Sequence, residues 1–258
     1  MSVAGGPNLI KNGLVLELDA GNIKSYQSGS TTWFDKSGNN LNGTLINGPT
    51  FNTGSGGSIV FDGVDDYVGE PYTSLLNLGT QFSICSFVKL GNTSQIMQPI
   101  FGAPDVNFGV NTQGYFFYWY RDSGNGLSGS ALRLQFGQSN WQWNLYGSNG
   151  NTITNTNWHY VCVTTSGLNT SLPTVTFYVD GINVGSNYWN AASKAPILYS
   201  SNTGSIRVNS VYFPSRPTYD GPYYLTGNTG VVQLYNKELS AQEVLQNYNA
   251  QKSRFGLT

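Results

Sequence analysis

The chain has 258 residues, 10% of them charged, with a formal net charge of -1 and a pI of about 5.7. Such a balance offers no basic field to draw nucleic acid or an anionic membrane surface, and no apolar run reaches the roughly 18 residues of a membrane-spanning helix. Aromatics at 14%, together with 32 glycines among many Asn, Ser and Thr, suit short strands joined by tight turns, so the chain is read as all-β.

The opening stretch, Met1 to Pro7, lacks the charged start and apolar core of a secretory signal, and residues 1–12 read as an N-terminal arm. Leu14, Leu16 and Leu18 then alternate on one face of a first, edge-type strand. Turn chemistry follows through Asp35-Lys36-Ser37-Gly38 and Asn47-Gly48-Pro49. Ser58 to Val68 and Phe82 to Lys89 are two β-rich runs flanking an Asp-Gly turn, and the second is apolar enough for the middle of a sheet. Between Gln95 and Asn155 the chain turns strongly aromatic, and three strands are predicted around Tyr115–Tyr120, Ala131–Phe136 and Trp141–Tyr146. Trp158 to Val163 is a further strand. Val175, Phe177 and Val179 alternate inward ahead of a tight Asp180-Gly181 hairpin turn. After a loop-rich passage with a strand at Ser205 to Val211, the chain closes on a strand and a helix. Ser240 is the predicted N-cap and Glu243 its capping-box partner, with the helix ending near Gln251. Cys85 and Cys162 fall inside predicted strands, where a small buried thiol is favoured over a bridge.

The stretch Ser58-Ile59-Val60-Phe61-Asp62-Gly63-Val64-Asp65-Asp66-Tyr67-Val68, followed by Phe82-Ser83-Ile84 and Val88-Lys89, resembles the signature of laminin G-like jelly rolls of the concanavalin A-like lectin and glucanase superfamily. Trp158-His159-Tyr160-Val161 and Tyr178-Val179-Asp180-Gly181 resemble further strands of the same family. Leu18-Asp19-Ala20-Gly21-Asn22 near the start and Gly230 to Leu257 at the close resemble jelly-roll domains of tailed-bacteriophage structural proteins. The resemblance implies one jelly-roll domain over residues 13–258, built of two antiparallel sheets with a short C-terminal helix. It also implies a non-enzymatic module on a virion surface, as a capsid decoration, fibre or tail component. Synthesis in the host cytoplasm without a signal peptide, and release by lysis, would fit a polar surface with no export signal. Other virion proteins are the expected partners, host-surface glycans a further class, and an oligomer is compatible with that setting. Nucleic acid and membrane insertion are not expected.

Chemistry has few places to reside. Glu17 and Asp19 resemble part of the glucanase E-x-D-x-(x)-E strand, but Gly21 and Asn22 stand where the third acid would be, leaving the acid/base role unfilled. His159 is the single histidine, set in an apolar strand with no nucleophile elbow in the sequence. One His and two distant Cys cannot supply a zinc site. No catalytic residue is assigned, and no cofactor is required. Asp35, Asp62, Asp65 and Asp66 sit in oxygen-rich loops suited to a structural Ca²⁺, and they suit equally the turns that such side chains cap. For saccharide binding, alternation places Leu132, Leu134, Phe136, Trp141, Trp143 and Leu145 in the core. The outward set is then Tyr118, Tyr120, Arg133, Gln135, Gln142 and Tyr146, which combines stacking faces with planar donors and acceptors.

Overall fold

The computed structural model describes residues 7–71, 73–104, 114–122, 129–137, 143–168, 173–191, 206–211 and 223–258. In chain order the strands are β1 (Leu14–Asp19), β2 (Thr32–Trp33), β3 (Gly43–Ile46), β4 (Thr50–Asn52), β5 (Ser58–Asp62), β6 (Tyr67–Glu70) and β7 (Phe82–Leu90). The aromatic block forms β8 (Met97–Pro104), β9 (Gly114–Asp122), β10 (Gly129–Gly137) and β11 (Trp143–Gly147). Then come β12 (Trp158–Ser166), β13 (Thr174–Val179), β14 (Ile182–Asn183), β15 (Asn187–Ala191), β16 (Ile206–Val208), β17 (Ser210–Val211), β18 (Tyr223–Tyr224) and β19 (Thr226–Tyr235). Helix α1 (Ala241–Gln251) and a 3-10 turn (Lys252–Phe255) close the chain.

Two antiparallel sheets result. One has eight strands in the order β14-β13-β12-β7-β19-β5-β4, with β1 added through β19; the other has nine, ordered β15-β11-β10-β9-β8-β16-β6-β3-β2. Strands distant in sequence are neighbours, as β7 with β19 and β6 with β16, which is the winding of a jelly roll. The core lies between the sheets. Ile84, Val161, Val163, Phe177, Val232 and Leu234 come from one sheet, and Phe101, Tyr115, Phe117, Trp119, Leu132 and Phe136 from the other, all at most 1% exposed. Each such side chain contributes about 1.5–3 kcal/mol by leaving water.

Local expectations and long-range pairing part company in β1. Leu16 and Leu18 join the core, but a bulge between Leu14 and Leu16 puts Val15 there as well and sends Leu14 to the opposite side. The Asp180-Gly181 turn forms with φ of 52° and 78°, the paired positive values of a tight hairpin. Val175, Phe177 and Val179 point inward ahead of it. At the helix, Ser240 Oγ accepts from the Glu243 amide (3.2 Å), and Glu243 Oε2 accepts from the Ser240 amide (2.9 Å).

α1 closes the outer face of the eight-stranded sheet. Tyr160, Phe87, Tyr248 and Phe255 stack there beside Val231, Val244 and Leu239 in a second apolar layer. The arm is tied beside it: the Ile10 amide donates to Asn247 Oδ1 (2.9 Å) and Tyr235 Oη to the Ile10 carbonyl (3.1 Å). Under this layer Cys85 and Cys162 stand directly opposite each other on β7 and β12, and they are joined as a disulfide. The expectation of two separate thiols is thus corrected, because the register brings together residues 77 apart in sequence.

Candidate functional site

β9 lies between β8 and β10 in the nine-stranded sheet, and alternation divides its aromatics between the two faces. Tyr115, Phe117 and Trp119 face the core with Leu132, Leu134 and Phe136, as expected. Phe116, Tyr118 and Tyr120 face outward. Opposite them across β10 stand Gln135, Arg133 and Ala131, and across β8 Gly102, Pro99 and Met97. The guanidinium carbon of Arg133 is 3.9 Å from the Tyr120 ring centroid, and Tyr118 Oη donates to Gln135 Oε1 at 3.2 Å. Further along the same sheet, Arg207 of β16 lies over the Tyr67 ring of β6 at 4.4 Å, and Tyr224 packs beside Tyr67 at 6.5 Å. The outer face therefore carries two guanidinium-on-tyrosine stacks.

Access along this face is uneven. Phe116, Tyr118 and Leu145 form a small outer apolar cluster with Met97, Tyr120 and Tyr223, leaving Tyr118 only 2% and Arg133 only 3% exposed. Burial raises the pKa of the Tyr118 phenol, with Arg133 opposing the shift. Tyr118 and Arg133 thus stiffen the face from beneath, while Tyr120, Gln135, Tyr67, Arg207, Tyr223 and Tyr224 remain half-buried and reachable.

Tyr146 does not belong to this face. It stands opposite Leu134, so it shares that residue's inward direction, and it stacks on Phe136 at 5.9 Å with 13° between the planes. Leu145, expected in the core, faces outward instead, while Trp141 and the side chain of Trp143, expected there too, lie outside what the structure describes. Directly opposed residues of antiparallel strands share a face, so the inward set of β10 dictates that of β11. Gln142 lies outside the described residues. Sequence reading missed Tyr67, Arg207 and the Tyr223-Tyr224 pair, which sit in strands of two to four residues with too little alternation to show a face.

The acidic residues separate into groups with different work. Asp35 is a loop cap: Oδ1 accepts from the amides of Glu17 (2.9 Å) and Ser37 (2.8 Å), and Oδ2 from the Ser37 hydroxyl (2.7 Å) and the Leu41 amide (3.1 Å). Those four donors, three from its own loop and one from β1, engage its carboxylate, so it is set aside from the group of possible ligands. Asp62, Asp65 and Asp66 bring carboxylate oxygens within 4.8 Å of one another around the Gly63 turn. Partial burial raises the Asp66 pKa, and the charges of Asp62 and Asp65 raise it further. Gln95, whose Oε1 is buried without a hydrogen-bond partner, reaches the same turn, its Nε2 lying 3.3 Å from where a Cβ on Gly63 would stand. An all-oxygen set of closely spaced carboxylates fits a hard divalent cation.

Glu17 and Asp19 are both paired elsewhere, Glu17 with Lys11 (2.6 Å) and Asp19 with Arg254 (2.7 Å). His159 has both ring nitrogens engaged, Nδ1 with Asp180 Oδ2 (2.8 Å) and Nε2 with Asn155 Oδ1 (3.1 Å). These contacts hold strands and loops rather than setting a nucleophile against a base.

The fold is shared with several solved structures. The chain aligns over 94% of its length with a third (33%) of the Trypanosoma rangeli sialidase solved with sialic acid, at 15% identity and TM-score 0.59. It aligns over 91% with 98% of domain 4 of AbnA, an extracellular arabinanase from Geobacillus stearothermophilus solved with arabinotriose, at 16% identity and TM-score 0.58. The receptor-binding domain of botulinum neurotoxin C/D mosaic serotype matches over 94% of this chain and 52% of its own, at 13% identity and TM-score 0.63. At these identities the likeness speaks for the fold alone. No curated protein matches by sequence. Residues 62–245 match a family described as the concanavalin A-like lectin/glucanases superfamily, Laminin_G_3, and with the two-sheet jelly roll in place the chain belongs to that family.

Proposed function

We propose that this chain is a non-catalytic saccharide-recognition module carried on a virion surface, taking its ligand on the outer face of the nine-stranded sheet. The observation that carries the reading is the pair of stacks, Arg133 on Tyr120 and Arg207 on Tyr67, with Gln135 on the same face. Arg133, itself buried, holds the Tyr120 ring in place, while the half-buried Arg207 guanidinium lies flat on Tyr67 and is already oriented, so it meets hydroxyl or carboxylate oxygens at little entropic cost. The tyrosine rings offer π surface for the C–H face of a sugar ring. A neutral or weakly acidic glycan suits this mixture. An arabinanase domain of this fold solved with arabinotriose supports the ligand class, as do a sialidase solved with sialic acid, a third of which matches this chain, and a toxin's receptor-binding domain.

The virion setting rests on the resemblance of both ends of the sequence to phage jelly-roll domains, with other virion proteins as partners. One face would bind weakly, and many copies on a particle would raise avidity through effective concentration. Asp62, Asp65 and Asp66 would hold a Ca²⁺ that neutralises the turn between β5 and β6; its contribution is structural.

A second reading, a virion protein that contacts only other virion proteins, is favoured by the near-complete burial of Tyr118 and Arg133. A glycan array probed with the wild type and with Tyr120→Ala and Arg207→Ala separates the two. Binding lost in both variants, with unchanged melting, upholds saccharide recognition on this face; binding indifferent to both changes moves the ligand off this face, and no retained glycan leaves the structural reading. Sugar release that disappears in Glu17→Gln would instead establish a hydrolase. A map of the whole particle tests the virion placement.

A further inference from the structure

Where β1 ends, two clefts lie on either side of one bridge. Arg254, in the turn after α1, pairs through Nη1 with Asp19 Oδ1 at 2.7 Å and donates through Nη2 to the Gly57 carbonyl at 3.2 Å. The packing is close: a Cβ on Gly21 would stand 2.0 Å from the Gly56 carbonyl oxygen and 2.6 Å from the guanidinium carbon of Arg254. The arginine is therefore fixed in place, and yet its Nε is buried with no hydrogen-bond partner.

The first cleft, of about 540 Å³, has Phe51 and Ile23 among its walls. Phe51 is partly exposed and braced by Tyr26 at 5.2 Å, whose hydroxyl donates to the Ser30 carbonyl. Ile23 is 74% exposed beside it. Gln27, Ser28 and Thr53 supply polar groups around this apolar surface. On the far side of the bridge a cleft of about 620 Å³ opens between the arm, β1 and α1, lined by Lys11, Asp19, Gln251, Ser253 and Arg254. Gln251 is 9% exposed, and its Oε1 is buried without a partner.

A buried acceptor and a buried donor left unmade each cost free energy, and a ligand supplying both partners recovers it. The charged groups here are already compensated, Asp19 by Arg254 and Glu17 by Lys11, so a charged ligand would gain little. Hydroxyls, which donate and accept at once, satisfy the amide oxygen of Gln251 and the Nε–H of Arg254 together. The braced ring of Phe51 and the aliphatic Ile23 then match the apolar face of a sugar ring.

We infer that this rim is a second saccharide site, taking a neutral oligosaccharide with one ring against Phe51 and Ile23 and the hydroxyls of a neighbouring ring on Gln251 and Arg254. In its ligand class the inference rests on the reading above, but it uses none of the same residues. The test is a backbone-amide NMR titration of the whole chain with neutral trisaccharides of gluco, galacto and arabino configuration at millimolar concentration, repeated on Ile23→Ser, Phe51→Ala and Gln251→Leu. Shifts at Ile23, Thr53, Gln251 and Ser253 are expected, with affinity falling about tenfold in each variant. Ile23→Ser changes an exposed side chain, so its folding is not at issue. Shifts confined to the surroundings of Tyr67, Tyr120 and Gln135 overturn the rim site and leave the sheet-face site standing. Shifts at the rim alone uphold this inference and sink the other. Shifts at neither place overturn both.

Discussion

Glu70 ends β6 with 6% of its surface exposed, on the core side with Val68, and its carboxyl pKa is pushed up to about 8, first by burial and then by the charge of Asp35. Unfolded, the same group titrates near 4.5. Between those values the folded chain binds more protons than the unfolded one, so stability falls as pH rises through that window and is fully present only below it. For a group titrating at 4.5 unfolded and about 8 folded, linkage gives a loss of about 2.5 kcal/mol between pH 5 and 7. Water reaching the carboxyl screens part of this, so about 1–2 kcal/mol is expected. Glu70→Gln keeps the shape and removes the titration. The variant should match the wild type near pH 5 and exceed it by roughly 2–8 °C in melting temperature at pH 7, given about 2–4 °C per kcal/mol for a chain of this size. Melting curves at half-unit pH steps measure the gap between the two proteins. A gap that stays constant from pH 5 to 8 would refute the reasoning, since it would mean that Glu70 ionises alike in both states.

Tyr146→Ala, which empties a core position beside Phe136, should cost about 3–5 kcal/mol in urea unfolding, whereas Tyr120→Ala at the half-buried outer face should cost well under half of that. Equal costs would place the two tyrosines on the same kind of surface. Calcium at millimolar concentration should raise the melting temperature of the wild type and leave that of Asp62→Asn/Asp66→Asn unchanged; a rise surviving in the double variant would put the cation elsewhere. Breaking the Cys85–Cys162 bond by Cys85→Ser/Cys162→Ser should lower stability by up to about 4–5 kcal/mol, the chain-entropy value for a loop of this span. Mass spectrometry after alkylation without reductant should find both thiols blocked from labelling in the wild type, and two labelled thiols would remove the bridge.

What could be read from the sequence was whatever depends on a few neighbouring residues. The Asp180-Gly181 hairpin demands positive φ at two successive positions, and the Ser240-Glu243 box needs only one helical turn, so both are written locally. Alternation likewise grouped Leu132 with Leu134 and Arg133 with Gln135. It cannot say which group faces in. For β10 the apolar set settled the question, but for β11 both sets carry aromatics, and the answer came from its pairing with β10, where Leu134 opposes Tyr146. Cys85 and Cys162 show the same gap between local and long-range information, since their contact exists only through the register of β7 and β12. The bulge at Val15 is a third case, because one inserted residue reverses every assignment on its N-terminal side.

These misreadings have a common consequence for where a ligand can sit. A sandwich has two outer faces, and here the sheet containing β7, β12 and β19 has its outer face sealed by α1 and the arm, through the ring stack of Phe87, Tyr160, Tyr248 and Phe255. That leaves the opposite sheet and the rim. On the opposite sheet the outward residues of the central strand β9 are themselves packed, so the reachable groups move outward from Tyr118 to Tyr120 and along the sheet to Tyr67 and Arg207. At the rim the sealing elements create the opening, because the arm and α1 meet β1 over a set of polar side chains without closing on them. The proposed recognition is thus displaced from the centre of the aromatic block to its borders, since the aromatics richest in stacking surface are also those that burial serves best.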